Sequence, residues 1–233
     1  MRQFLPALRR RGLLAEYMCN GEIIILNNDE FLLLLAASGL ERWYGIELSE
    51  QRAALNDTRA FNTALATLYQ KGVIEWSEDK AEIAMAYRDM FRTLRDATRC
   101  ILIKTASRPG YIKGSYCSGG MVTNVEGGAT TGSEVELSLQ RMGEWLDELK
   151  MSGLLPGTVD MPEDGEEPIG AEDPISEFEL RSLPDGELMR SMRIYDQGLF
   201  TMKEISEAGF NTKDICAPGD AENILSGWCG GES

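Results

Sequence analysis

The sequence predicts an α+β protein with a central antiparallel sheet and helices packed against it. Three observations favour this class: a capped amphipathic helix within residues 55–76 that passes into a strand, a run of strand-like segments joined by glycine turns between residues 100 and 138, and an amphipathic helix at 139–149. Composition changes suggest an α+β core at 1–155, an acidic proline-rich loop or linker at 156–175, strand hairpins at 176–210 that complete the sheet or form a small subdomain, and a mobile tail at 211–233.

The stretch from Leu55 to Trp76 predicts a winged-helix-like helix–strand unit. Asp57 or Thr58 can cap the helix, and Gly72 can adopt the left-handed conformation that ends it. The helical stripe comprises Phe61, Ala64, Leu65, Leu68 and Tyr69, and a β-favouring run follows at Val73, Ile74 and Trp76. We expect Phe61, Leu65, Leu68 and Trp76 in the core, and Arg59 and Lys71 on the surface.

Before this unit the sequence predicts a strand at 22–26 and a buried helix at 31–37, with Asn27 and Glu30 spaced like a capping box. A short terminal helix is expected within residues 1–17. After Trp76 a polar turn, 77–80, leads to a predicted helix with apolar positions Ile83, Tyr87, Met90, Phe91 and Leu94.

The remaining strands are predicted from apolar runs between turn signals. They lie at 100–105, 111–117, 121–126 and 135–138, followed by a helix with Leu139, Met142, Trp145, Leu146 and Leu149. Later strands are expected within 177–183, 188–195 and 199–202, with a short helix at 205–210. Between the two groups, residues 156–175 hold seven acids, four prolines and no base, which predicts a flexible acidic loop.

Composition argues against several functions. The chain has 233 residues, 38 acids against 23 bases and a net charge of −15, so its average field repels a phosphate backbone and we expect no nucleic-acid partner. It contains no histidine, which excludes Ser-His-Asp and Cys-His machinery of its own. Five scattered cysteines without a C-x-x-C pair suggest reduced thiols, with Cys100 and Cys117 as core residues.

We expect no catalytic residue, no cofactor site and no metal site. The carboxylate pairs Glu134/Glu136 and Asp147/Glu148 have no partner that the sequence can place, so a solvated surface is expected for both. Lys104 lies in an apolar run but at a strand end, where its ammonium can reach water.

The run from Glu22 to Leu155 resembles the EspG-like chaperones of type VII (ESX) secretion. The segments that carry the resemblance are EIIILNNDEFLLLLAASGL, LATLYQKGVIEW, DATRCILIKTASRPGYIKGSYCSGGMVTNVEGG and VELSLQRMGEWLDEL. The resemblance implies a central antiparallel sheet with helical bundles, no enzymatic activity, and a helical secreted protein as partner.

The sequence therefore predicts a non-catalytic cytosolic chaperone or adaptor that holds a helical secretion substrate. A winged-helix transcriptional regulator and a small-ligand sensor are the alternatives. The longest apolar run, Phe31–Ala37, is too short to span a bilayer and no signal core precedes it, so we expect a cytoplasmic protein with no membrane span.

Overall fold

A computed structural model gives an α+β fold built on one large antiparallel sheet. It describes residues 23–39, 43–45, 57–107, 110, 112–127, 134–155, 174–183, 185–195, 200–206, 209–215 and 220–230. Within these residues the strands are β1 Ile23–Asn27, β2 Ile74–Ser77, β3 Lys80–Ile83, β4 Arg99–Thr105, β5 Ile112–Ser118, β6 Met121–Gly127, β7 Glu134–Arg141, β8 Ser176–Ser182, β9 Leu188–Ile194, β10 Phe200–Ser206 and β11 Gly209–Ile215. The helices are α1 Asn28–Ala37, α2 Thr58–Gln70, a 3₁₀ helix Met85–Tyr87, α3 Arg88–Asp96, α4 Met142–Met151 and α5 Asp220–Gly230.

Nine of the described strands form the sheet in the order β1-β7-β6-β5-β4-β8-β9-β10-β11, while β2 and β3 form a separate hairpin. The two faces of the sheet bury two different cores. Alternation along β4 shows this: Cys100 and Leu102 join the core under α1, α2 and α3, whereas Ile101 and Ile103 join the core under α4 and α5. We call these the first face and the second face.

The beginning of the described chain follows the prediction. Strand β1 passes directly into α1, and the Asn27 side chain accepts a hydrogen bond from the Glu30 backbone N–H at 2.9 Å. The Glu30 carboxylate accepts in return from the Asn27 N–H at 2.8 Å, so the capping box is confirmed.

The helix–strand unit is also confirmed, but part of its predicted burial is wrong. Asp57 caps α2, and Gly72 has a φ of +69° where the helix ends. Leu68 is fully buried, whereas Phe61 is 39% exposed and Trp76 is 53% exposed. The buried side of α2 runs along Ala64 and Leu68, so Phe61 lies at its margin.

Arg59 and Lys71 are both exposed, as expected, but Lys71 also has a buried ionic partner. The Lys71 ammonium lies 2.6 Å from the Glu30 carboxylate, and Glu30 is only 1% exposed. It also donates to the Ile25 carbonyl at 3.0 Å, so this lysine connects the end of α2 to β1 and α1.

The predicted helix beginning near Ile83 is wrong in its first half. Glu78 and Asp79 have φ values of +46° and +68° and join β2 and β3 in a two-residue hairpin. Ile83 therefore ends a strand, and α3 begins at Arg88. The predicted apolar positions Met90, Phe91 and Leu94 are buried on α3.

The C-terminal region differs from the prediction. The helix predicted at 205–210 is wrong, because residues 205–206 belong to β10 and residues 209–210 belong to β11. The expected mobile tail contains α5, in which Leu225 is fully buried and Trp228 is 2% exposed. The spacing of Ala221, Leu225 and Trp228 is helical, but the glycine and serine content around it suggested fraying. Residues 156–173 of the acidic loop predicted at 156–175, and the helix expected within 1–17, lie outside the described residues.

The expectation of reduced thiols is wrong for one pair of cysteines. Cys117 on β5 and Cys229 on α5 form a disulfide, with their Cα atoms 5.1 Å apart. Cys100 is free and buried on the first face. Cys19 and Cys216 lie outside the described residues.

Candidate functional site

The structure separates the residues that the sequence singled out for chemistry. Lys104 binds Glu179 on the first face. Glu134 is exposed at the start of β7, and Glu136 lies opposite Glu126 of β6. Asp147 is an exposed residue of α4 with Lys150 3.7 Å away. No two of these groups converge on one cleft.

Glu148, expected on a solvated surface, instead belongs to a buried polar network. Its carboxylate lies 2.9 Å from the ammonium of Lys113, which is only 3% exposed. Lys113 also lies 2.9 Å from Glu126 of the neighbouring strand. Gln140 of β7 donates to Glu148 at 2.6 Å, so β5, β6, β7 and α4 are joined by one network on the second face.

The network continues across the sheet through neutral side chains. The Asn124 amide donates to Gln140 at 3.1 Å and accepts from the Ser115 hydroxyl at 2.7 Å. In the sheet, Ser115 of β5 lies opposite Asn124 of β6, which lies opposite Ser138 of β7. These aligned polar residues are the feature of the sequence that could have indicated the network. Sequence reasoning missed it because the strand pairing was not known.

The electrostatics of Lys113 are those of a structural cation. Burial alone would lower its pKa, but the carboxylates of Glu126 and Glu148 outweigh burial and raise the pKa above its ordinary value. A lysine that holds its proton more firmly is a poor base and a poor nucleophile. Within the described part of the chain, no group of three or more cysteine, aspartate and glutamate residues is placed to hold a metal ion.

A second buried pair, Cys100 and Tyr116, lies on the first face. Burial raises the pKa of the Cys100 thiol and of the Tyr116 hydroxyl, so both remain protonated near neutral pH. The Tyr116 hydroxyl donates to the Tyr44 carbonyl at 3.1 Å and accepts from the Tyr44 N–H. Its role in the structure is to hold residues 43–45 against β5.

Exposed apolar side chains are concentrated in one part of the fold. Seven large hydrophobic residues are exposed among the described residues, and four of them, Phe61, Tyr69, Trp76 and Met85, belong to the continuous stretch from α2 to the 3₁₀ helix. We call these four residues the apolar surface. The other three are Ile23, Ile25 and Met151.

Local structure explains why these residues are exposed. Phe61, Leu65 and Tyr69 are four residues apart and form a row along α2, beside the buried row of Ala64 and Leu68. On the hairpin, Trp76 shares a side of β2 with the buried Ile74 and pairs with Ala81. The apolar side of the helix–hairpin unit thus continues beyond the core into exposed positions.

No family model matches the chain, and a search of curated proteins gives no match either. No helix in the described ranges is long and apolar enough to cross a membrane. The geometry of the site is therefore the basis for assigning a function.

Proposed function

We propose that the chain is a non-catalytic chaperone or adaptor that holds a helical protein partner at the apolar surface. The observation that carries the proposal is the concentration of exposed aromatic residues and a methionine on one helix–hairpin unit. Aromatic residues and methionine are enriched at protein interfaces, where they supply much of the binding energy. The resemblance to EspG-like type VII secretion chaperones supports a secreted helical protein as the partner.

The row on α2 suits a helical partner. Phe61, Leu65 and Tyr69 form a ridge along the helix, and ridges of this kind pack into the grooves of a second helix. Leu65 packs partly against the core, so the exposed Phe61 and Tyr69 are the side chains that can contact one helix of a partner. Trp76 of the following hairpin is a further exposed aromatic side chain.

The experiment compares co-purification of partners with the wild-type chain and with the double variant Tyr69→Ser/Trp76→Ser in the organism that makes it. We expect a small helical secreted protein with the wild type, and about 30-fold weaker binding of that protein by the variant, because two aromatic contacts are lost. Met151→Ser is the matched control, since Met151 is exposed but lies outside the apolar surface.

Two outcomes contradict the proposal. One is recovery of the chain alone at low salt in repeated purifications. The other is a partner that the double variant and the Met151→Ser control retain equally well.

A winged-helix regulator is the second candidate, because α2 is followed by the β2–β3 hairpin in the order typical of that module. Arg59 is the only base within α2, and the neighbouring Lys71 is bound to Glu30. Groove recognition normally requires several bases on such a helix. A salt-dependent gel shift on duplex DNA would favour this alternative.

A further inference from the structure

Helix α5 has two covalent attachments to the rest of the fold, one at each end. It follows β11 in the chain, and β11 lies at the edge of the sheet opposite β1. Near its other end, Cys229 is bonded to Cys117 of β5. Strands β4, β8, β9 and β10 lie between β5 and β11, so the disulfide is far from the chain connection to β11.

Helix α5 covers an apolar part of the second face. Leu225 and Trp228 are buried in the cluster that also contains Trp145 of α4. The helix contacts β4, β5 and α4, and its Glu222 forms an ion pair with Lys150 of α4. A movement of α5 away from the sheet would expose these apolar side chains to water.

The noncovalent packing of α5 contains two unsatisfied donors. The indole N–H groups of Trp145 and Trp228 are buried and have no hydrogen-bond acceptor among the described residues. A buried donor without an acceptor destabilises the packed state, because the same group binds water when it is exposed. Helix α5 also has only 11 residues, a length at which a helix is marginally stable without tertiary contacts. We therefore expect its docking to depend strongly on the disulfide.

The position of Cys229 gives a reductant a route to the disulfide. Cys229 is the last residue but one of α5, and the ends of helices fray. Its exposed fraction is 8% and that of Cys117 is 7%, whereas Cys100 in the core of the first face is fully buried. Thiol–disulfide exchange requires access of a thiolate to one sulfur, and fraying of the last turn of α5 provides that access.

We propose that the Cys117–Cys229 disulfide is a redox switch that determines whether α5 covers the second face. A dithiol attacks one sulfur of the bond and forms a mixed disulfide, and its second thiol then releases the cysteine. The dithiol gives up two electrons and two protons and becomes a disulfide, while Cys117 and Cys229 become thiols. Helix α5 then keeps only its chain connection to β11 and opens. An oxidant that removes the two electrons closes it again.

Hydrogen exchange of the whole chain, with and without dithiothreitol, tests the switch. The quantity compared is the ratio of the exchange rate of the α5 amides to that of the β5 and β6 amides. We expect reduction to raise this ratio at least about tenfold, because a terminal helix can open while the sheet stays folded. Cys229→Ser should show the high ratio with or without dithiothreitol.

The control is Cys19→Ser/Cys216→Ser, which removes two other cysteines and should respond to dithiothreitol as the wild type does. A ratio that reduction leaves unchanged in the wild type would overturn the inference, because the disulfide would then stabilise the whole fold without controlling α5. A low ratio in Cys229→Ser would overturn it as well. The experiment needs no partner protein, so its result is independent of the proposed function.

Discussion

Glu179 of β8 illustrates how a single buried residue stabilises the first face. Its carboxylate binds the Lys104 ammonium, and Arg181 donates to it at 2.6 Å and 3.1 Å. Burial alone would raise the pKa of Glu179, but these cationic donors outweigh burial and hold the pKa below its ordinary value. The predicted strand-end lysine therefore has an ionic partner as well as access to water.

We expect Glu179→Gln to lower the free energy of unfolding by about 1–2 kcal/mol at neutral pH, because charge-assisted hydrogen bonds are lost. A lowered folded-state pKa stabilises the protein above the unfolded-state pKa of about 4.3, and that stabilisation is lost as pH falls through the folded-state value. The difference between variant and wild type should thus disappear in acid. Urea unfolding at several pH values measures it. Asp147→Asn is the control, and a difference that persists in acid would contradict the assignment.

Gly114 of β5 is a position where only glycine fits. Residues 43–45 cross the first face at this point, and an added Cβ at Gly114 would overlap the Tyr44 carbonyl oxygen and lie 2.9 Å from its carbon. We expect Gly114→Ala to lower the free energy of unfolding by about 1–3 kcal/mol, the usual cost of overpacking. Thermal unfolding checks this.

Gly127→Ala is the matched control, because Gly127 also lies in a strand and no atom of the described residues lies within 4 Å of the added Cβ. A Gly114→Ala variant as stable as the Gly127→Ala variant would show that residues 43–45 do not pack on β5 in solution.

At the scale of elements, the Lys113 network joins α4 to the sheet. We expect Lys113→Met to lower the free energy of unfolding by about 3 kcal/mol, because it leaves the carboxylates of Glu126 and Glu148 without their shared cation. Adding Glu148→Leu should restore part of that loss, since it removes one of the two carboxylates. Chemical denaturation of both variants measures the effect. An additive loss in the double variant would contradict the coupling.

Most elements formed from local patterns could be predicted. The capping box at Asn27 and Glu30, the helix α2 with its stop at Gly72, and the meander of β4 to β7 all depend on residues close together in sequence. The β2–β3 hairpin could not be predicted as easily. Its turn residues, Glu78 and Asp79, have positive φ without the glycine that normally signals such a turn.

The candidate sites depend on tertiary structure and were mostly missed. A helical stripe shows which residues share a side of α2, but not which margin of the stripe another element covers. Phe61 and Trp76 were therefore expected in the core. Neither the Lys113 network nor the Cys117–Cys229 pair can be derived without the strand register and the position of α5.

At the scale of the whole molecule, the sheet is covered on opposite faces by two sets of helices. Helices α1, α2 and α3 cover the first face near β1, β7, β6 and β5, and α4 and α5 cover the second face near β7 to β4. The apolar surface includes Phe61 and Tyr69 of α2, a helix of the first set. We therefore expect partner binding to protect the amides of α2 from hydrogen exchange more than those of α4 and α5.

The disulfide between Cys117 and Cys229 stabilises the molecule across 112 residues of sequence. We expect Cys229→Ser to lower the free energy of unfolding by about 2–4 kcal/mol, the usual contribution of a cross-link that restricts the unfolded chain. Reductant should destabilise the wild type by a similar amount and leave the Cys229→Ser variant unchanged. Equal sensitivity of both proteins to reductant would contradict the pairing.

The same cross-link determines how fragments of the chain behave. A single backbone cleavage between Cys117 and Cys229 produces two polypeptides that remain covalently joined. They migrate as one band on a non-reducing gel and as two bands after reduction. A protease that nicks the chain there therefore leaves the piece carrying the apolar surface attached to the piece carrying Cys229.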